Sequence, residues 1–269
     1  MNEKEIIAIS KQAYSKQDII VDLRKLSLQQ GDVVLVHSSL SKIGWVIGRE
    51  NTIIEALQEV VGKEGTIIMP CFSGENSDPA LWQNPPVPNA WISKIKGHMP
   101  PFNPEITPTR EMGRIANAFW HYPGVIRSMH PQVSFCGYGK LAYQILDQHP
   151  LTPGLGSQSP LAKLYQHQAK ILLLGVGYSN CTCLHLSESN NLTVDKIKTG
   201  ARMYQDGKSK WVEFEEVDYD DSDFELLGLA YEKEYPVITK DIGQAKSKII
   251  DLVSICNFAD TWVKENRKY

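Results

Sequence analysis

His185 and Glu188 form the strongest chemical pairing in this 269-residue sequence. They stand in the segment Asn180-Cys181-Thr182-Cys183-Leu184-His185-Leu186-Ser187-Glu188, just beyond the apolar run Lys170–Leu174 and a Gly175-Val176-Gly177 turn. On a helix over 180–190 the two residues share a face, as do Thr182 and His185. A carboxylate beside an imidazole fixes its tautomer and raises its basicity, whereas the positive end of a helix opposes its protonation. Those influences tune a general base near neutral pH. The same pair also suits a core histidine bonded to a glutamate, but its place beyond a central strand favours catalysis.

A second group of polar residues, His37-Ser38-Ser39-Leu40-Ser41, follows the apolar run Val33–Val36. Ligands of open α/β sheets bind beyond the carboxyl ends of strands, where hydroxyls and free N–H groups hold phosphate oxygens. A polar turn capping the next segment is the alternative. Arg127-Ser128-Met129-His130-Pro131 and Thr107-Pro108-Thr109-Arg110-Glu111-Met112-Gly113 each offer hydroxyls and a cation. Either arginine could pair with a phosphate, and either suits a surface ion pair or a cap. The GxSxG elbow, the GxxxxGK[ST] loop, HExxH and the EF-hand loop are all missing from the sequence. The Gly175 turn matches a dinucleotide fingerprint only in part, with Asn180 in place of the third glycine.

The elements that must position these residues alternate between helix and strand. Asp18 can cap a helix carrying Ile19, Ile20, Leu23 and Leu26, and Gly31-Asp32 ends it. Val33–Val36, a helix from Asn51 to Gly62, and Thr66–Met69 make a βαβ unit, which implies parallel pairing. The proline-rich segment Cys71–Thr109, with Trp82, Trp91 and Phe102, reads as an ordered functional flap. Helices are expected over Glu111–Trp120, Lys140–Gln148 and after Pro160, with strands at Gln132–Phe135 and Lys170–Leu174. A hairpin turning at Asp206-Gly207 follows, then helices over Ser222–Glu234 and Ile242–Lys264. The fold class is α/β, one domain over 1–269, with a mainly parallel sheet flanked by helices and a smaller antiparallel insertion at 194–220.

Composition narrows the function. With 42% hydrophobic and 22% charged residues, the chain is an ordinary globular protein. A net charge of −3 and scattered basic residues, the last small cluster being Lys264–Lys268, argue against nucleic acid as a partner. No apolar stretch reaches membrane-helix length, and the charged opening Met1–Glu5 is not a secretion signal. Five irregularly spaced cysteines lack both zinc and CxxC spacing, so no metal is expected and the reading is a cytoplasmic protein with reduced thiols.

Several of these segments, in this order, resemble the aminoglycoside 3-N-acetyltransferase (antibiotic N-acetyltransferase) family. They are Val34 to Trp45, Gly65 to Pro70, Trp82, Pro85-Pro86-Val87-Pro88, Trp91, Thr107 to Gly113, Arg127 to Pro131, Gly156-Ser157-Gln158-Ser159-Pro160-Leu161, Leu172 to Gly177 and Thr182 to Glu188. The resemblance covers about Gln30 to Glu188 and, more loosely, the remainder. It implies an α/β fold distinct from the GNAT acetyltransferases, and transfer of acetyl from acetyl-CoA to an amine. It also implies His185 as catalytic base with Glu188 close by. Coenzyme A is then expected along His37, Ser38, Ser39 and Leu40, along Thr107, Thr109, Arg110 and Met112, and along Ser128, Val133, Ser134 and Phe135. Ser73 or the Ser38-Ser39 loop would donate to the developing oxyanion.

Aminoglycosides are polycations, so an acidic pocket is expected. Glu75, Asp78, Glu188, Asp220, Asp221 and Asp223 are its candidates, with Trp82 in the flap. The chain departs from the family pattern at Cys71, where threonine is frequent, at Cys183, where serine is common, and at Ile47-Gly48-Arg49, which replaces a glycine-rich segment. The expected function is acetylation of the 3-amine of the 2-deoxystreptamine ring by direct transfer, with a homodimer left open. Alternatives are an acetyltransferase acting on another amine, a coenzyme A-binding protein without aminoglycoside activity, and a nucleotide-dependent oxidoreductase resting on the Gly175 turn.

Overall fold

Short capped helices and apolar strands alternate along the chain, and the computed structural model describes residues 2–191 and 194–267. Lys268, in the basic run, lies outside them. Helix α1 (Glu3–Ile9) starts at Asn2 and α2 (Lys16–Lys25) at Ser15, each in a reciprocal capping box. Asp18 is thus the third residue of α2 rather than its cap. Strand β1 (Val33–Ser38) leads through the single turn α3 (Leu40–Ile43) to α4 (Arg49–Val61) and β2 (Thr66–Pro70). The flap contains α5 (Asn89–His98), a helix the proline content conceals. Helix α6 (Gly113–Phe119), strands β3 (Ile126–Arg127) and β4 (Phe135–Gly139), and helices α7 (Ala142–Leu146) and α8 (Pro160–Gln166) precede β5 (Lys170–Leu174). Residues 132 and 133, expected to be strand, form a turn instead, because His130 Nδ1 accepts from the N–H groups of Gln132 and Val133 at 3.1 and 2.9 Å.

The expected helix over 180–190 is replaced by two single 3-10 turns, Tyr178–Asn180 and Thr182–Leu184, and the short α9 (His185–Asn190). Strands β6 (Lys196–Gln205) and β7 (Lys208–Val217) then form a separate two-stranded ribbon. Its turn residues Asp206 and Gly207 both have positive φ, +53° and +72°, which suits a tight hairpin. Helix α10 (Phe224–Glu234) follows. The long closing helix expected from Ile242 is instead the hairpin β8 (Ile238–Ile242) and β9 (Ala245–Asp251), then α11 (Leu252–Asn266). Gly243 at φ +60° makes that turn, and Asp251 caps α11 by accepting from the Ser254 N–H at 2.7 Å.

The main sheet has seven strands in the order β3-β4-β2-β1-β5-β9-β8. It is parallel at its centre, where Val33 faces Thr66 and Val34 faces Lys170, and antiparallel at both margins. Both faces of the central strands are covered, which explains their unbroken apolar runs. Val34, Val36, Ile67, Met69, Leu172 and Leu174 pack with α2, α4 and α6. Leu35, Ile68, Ile171 and Leu173 pack on the other face with α7 to α11. Truncating one of these fully buried residues, such as Leu35 to alanine, costs about 2–5 kcal/mol.

The flap is pinned at two arginines. Arg127 donates to the Thr107 carbonyl at 2.5 Å, to the Cys71 carbonyl at 2.7 Å and to Ser134 Oγ at 2.9 Å, with its guanidinium over Phe102 and Trp120. Arg202 on the ribbon exchanges backbone bonds with the Asn76 side chain and donates to the Lys96 carbonyl. No helix among the described residues is long and apolar enough to cross a membrane.

Candidate active site

The parallel strands β1, β2 and β5 all end at one edge of the sheet, and a cleft of about 400 Å³ opens there. His37, Ser38 and Ser39 come from the end of β1, Pro70 and Phe72 from the end of β2, and Val176 from the turn after β5. Met112, Gly113 and Ala116 enter from α6, and Asp221 and Phe224 from the start of α10. The turn after β5 demands its glycines. A Cβ at Gly175 would lie 2.9 Å from Lys42 Cβ, and one at Gly177 would lie 2.6 Å from Glu225 Oε2. Glycine there lets the chain bend sharply and deliver His185 into the cleft.

His185 Nδ1 stands 2.5 Å from Glu188 Oε2, and the Glu188 side chain is fully buried. The second oxygen, Oε1, accepts from the Asp220 N–H at 3.0 Å and from Arg267 Nη1. A carboxylate so supplied accepts from His185 Nδ1–H, which leaves the Nε2 lone pair as the base of the ring. The rings of Tyr219 and Phe224 pack against the imidazole with centroids at 5.0 and 4.8 Å. The ribbon explains how Tyr219 arrives: β7 ends at Val217, and the acidic loop 218–223 runs directly from it across the dyad. The Tyr219 hydroxyl is held by Ser189, the Leu155 N–H and Glu216, and burial keeps it protonated by raising its pKa.

His37 is buried, and its Nε2 has no hydrogen-bond partner among the described residues. Loss of solvation lowers its pKa to about 3, so the ring is neutral. A buried polar atom left unpaired next to a cleft costs stability unless a ligand supplies its partner.

Of the residues singled out in the sequence, the cleft brings together His37, Ser38, Ser39, Met112, His185 and Asp221, with Glu188 and Asp220 directly behind. Leu40 lines an adjoining hollow with Ser41 and Arg114. The remaining hydroxyls are engaged elsewhere. Ser73 donates to the Pro131 carbonyl at 2.8 Å and Ser134 to the Cys71 carbonyl at 2.7 Å, while Thr109 pairs with Asn117 and Thr107 accepts from the Asn103 N–H.

Ser128 donates to His149 Nδ1 at 2.9 Å while accepting from the Phe135 N–H. Phe135 is core, and Val133 packs against that core from a half-buried position. Arg110 donates to the Asn84 carbonyl and lies 3.9 Å from Glu75. Asp78 is paired with Lys96 at 2.5 Å, and Trp82 donates to Ser77, so these two candidates are absorbed within the flap, while Glu75 stays exposed. Asp223 is bound by Arg267.

The apolar walls Val36, Phe72, Ala116 and Phe224 carry no signal that separates them from core residues. Tyr219 and Arg267 also escape the sequence reading, since neither lies within a helical turn of the dyad. Among the described residues, no group of three His, Cys, Asp or Glu is arranged to hold a metal. All five cysteines are free and buried, with Cys181 and Cys183 sulfurs 3.6 Å apart.

Comparison with known proteins gives a consistent answer. A family model described as aminoglycoside 3-N-acetyltransferase matches residues 35–264. The SPbeta prophage-derived aminoglycoside N(3')-acetyltransferase-like protein YokD of Bacillus subtilis is 43% identical over 264 residues, covering 98% of this chain and 97% of that protein. Its crystal structure superposes with a TM-score of 0.96 over 98% of both chains. Aminoglycoside N(3)-acetyltransferase IX of Micromonospora chalcea is 30% identical over the whole of both chains, 287 aligned residues. A structure of AAC-IIIb in a binary complex with CoASH has a TM-score of 0.85 at 26% identity, covering 96% of this chain and 100% of that one.

Proposed function

The chain belongs to the aminoglycoside 3-N-acetyltransferase family, and from that premise we propose that His185, oriented by Glu188, is the base that deprotonates the accepting amine. The protein is an acetyltransferase acting on an aminoglycoside amine, and its acetyl donor is acetyl-CoA. The reading of the site rests on one observation. A histidine held through Nδ1 by a buried carboxylate at 2.5 Å lines a cleft at the carboxyl edge of the sheet.

The residues present suit the donor. The cleft sets the apolar surfaces of Val36, Phe72, Met112, Ala116 and Val176 beside the hydroxyls of Ser38 and Ser39 and the unpaired His37 Nε2. That mixture fits a flexible chain of methylenes and amides ending in a thioester, and acetyl-CoA supplies the acetyl group in that activated form. We assign coenzyme A contacts to His37, Ser38, Ser39 and Met112. The cationic substrate is then drawn by the acidic lining of the cleft, Asp221 and Glu111, with Asp220 behind it, whose negative charge steers a polycation.

As the amine nitrogen attacks, His185 Nε2 takes its proton, and Glu188 stabilises the imidazolium that results. Tyr219 and Phe224 shield the pair from bulk water, which strengthens that charge interaction. The base acts directly on the amine, with no acyl-enzyme, and the 3-amine of the 2-deoxystreptamine ring is the acceptor. We place the activity in the cytoplasm, where acetyl-CoA is made and used.

Release of the coenzyme A thiol, followed with a thiol reagent across a panel of aminoglycosides, tests this reading. His185→Ala is expected to lower kcat by about 10²–10⁴-fold with coenzyme A affinity nearly unchanged. Undiminished turnover in that variant would remove His185 from the chemistry. Coenzyme A binding without release for any aminoglycoside would point to a different amine.

A further inference from the structure

Arg267 follows α11, far from the dyad in sequence, yet its side chain is 8% exposed and ends at the dyad. Nη1 donates to Glu188 Oε1, Nε donates to Asp223 Oδ2 at 2.8 Å, and Nη2 donates to Asp223 Oδ1 and to the Asp220 carbonyl at 2.7 Å. Its guanidinium carbon also lies 5.7 Å from the Phe224 ring centroid. One side chain therefore ties together the carboxylate behind the base, the acidic loop and one aromatic wall.

We propose that Arg267 is a positioning residue of the acetyl transfer: it compensates the buried charge of Glu188 so that His185 stays unprotonated, and it holds the 220–223 loop against the cleft. The proposal rests on His185 being the base. The physical reason is the burial of Glu188. A carboxylate removed from water needs a compensating cation, and two candidates touch it. If Arg267 provides the charge, His185 can remain neutral beside an ionised Glu188. Without Arg267, the dyad itself must take up a proton, and the base is silenced.

The surrounding charges support that division of roles. Tyr219 and Asp220 from the loop after β7 touch the dyad, Asp223 reaches it through Arg267, and Asp221, Glu111 and His37 line the same cleft as His185. Every carboxylate in that set favours protonation of the dyad, and His37 is neutral. Among the described residues, Arg267 is the only lysine or arginine in contact with Glu188. In that set Arg267 is therefore the one formal charge that opposes protonation of the pair, aided by the Asp220 N–H bonded to Glu188 Oε1 at 3.0 Å.

The test compares the pH dependence of kcat in wild type, Arg267→Gln and Arg267→Lys. Arg267→Gln is expected to move the acid limb upward by about one pH unit, about a tenfold loss of kcat below the limb. Arg267→Lys keeps the cation, so its limb stays near the wild-type position, while loss of the two-pronged grip on Asp223 raises KM for the aminoglycoside several-fold. An unmoved limb in Arg267→Gln overturns the proposal.

Because that variant could unfold through its uncompensated carboxylate, Glu188→Gln/Arg267→Gln provides an independent route with both charges removed. If Arg267 acts through Glu188, the double variant matches kcat of Glu188→Gln alone. A further tenfold loss overturns the proposal. Full turnover in His185→Ala would instead defeat the reading of His185 as base, which is a separate result.

Discussion

The backbone of α10 at Gly228 lies flat on the ring of Tyr178: a Cβ there would stand 1.9 Å from Tyr178 Cγ. Tyr178 is fully buried, donates to Glu232 at 2.8 Å, and begins the turns that carry the chain from β5 to His185. Gly228→Ala must therefore displace either α10 or the segment bearing the base. We expect a loss of about 1–3 kcal/mol in urea unfolding, together with a lower kcat. A variant as stable and active as wild type would show that the two segments can part without consequence.

Three buried histidines make stability depend on acid. Burial holds His37 and His149 at about 3 and His130 at about 4, against an ordinary value of 6.5. Their folded-state pKa values are depressed, so between those values and 6.5 the unfolded chain binds protons that the folded one refuses. Their contribution is fully present above about pH 6.5 and is lost as pH falls through that window. The slope below pH 6 should approach about 4 kcal/mol per pH unit for three such groups. His149→Asn should remove about a third of it, read from urea midpoints between pH 7 and 5. A flat midpoint over that range would contradict the burial argument.

Ser128 separates structure from cofactor binding. Its hydroxyl is buried between His149 Nδ1 and the Phe135 N–H, each at 2.9 Å. Ser128→Ala is expected to cost about 1–3 kcal/mol of stability by leaving both partners unsatisfied. Coenzyme A affinity measured by calorimetry should change by less than about twofold. A large loss of affinity with intact stability would instead return Ser128 to the cofactor site.

Arg127 staples the flap through bonds to Thr107, Cys71 and Ser134, with its guanidinium over Phe102 and Trp120. Arg127→Met preserves much of the stem but removes every donor. Opening of the 71–109 segment should become easier by about 1.5 kcal/mol or more, which is about tenfold faster cleavage within it under limited proteolysis. Cleavage at the wild-type rate would assign the flap's order to Arg202 and the ribbon instead.

The central βαβ unit was legible in the sequence because strands covered on both faces are unbroken apolar runs, as in Val33–Val36, and the helix between them repeats its apolar positions at 53, 54, 57, 60 and 61. The dyad was legible for a local reason too, since residues three apart on one short helix share a face. The β8–β9 hairpin was hidden because Ile242 and Ile249, seven residues apart, fall in helical phase across Gly243, and the preference for completing the sheet beside β5 appears only in three dimensions. Ser128, Ser134 and Arg127 look like ligand contacts in one dimension. The fold turns them inward to satisfy buried carbonyls and a histidine, and Arg267 has no local spacing that could announce it.

The bond between Glu188 and Arg267 spans 79 residues of chain. At a translation rate of about 5–20 residues per second, Glu188 is synthesised about 4–16 s before its cation. Until Arg267 emerges, closing α9 against its neighbours would bury Glu188 without its cation, and the dyad would have to hold a proton instead. On the proposed role of Arg267, the base becomes usable only once β9 and α11, which precede that arginine in the chain, have been made.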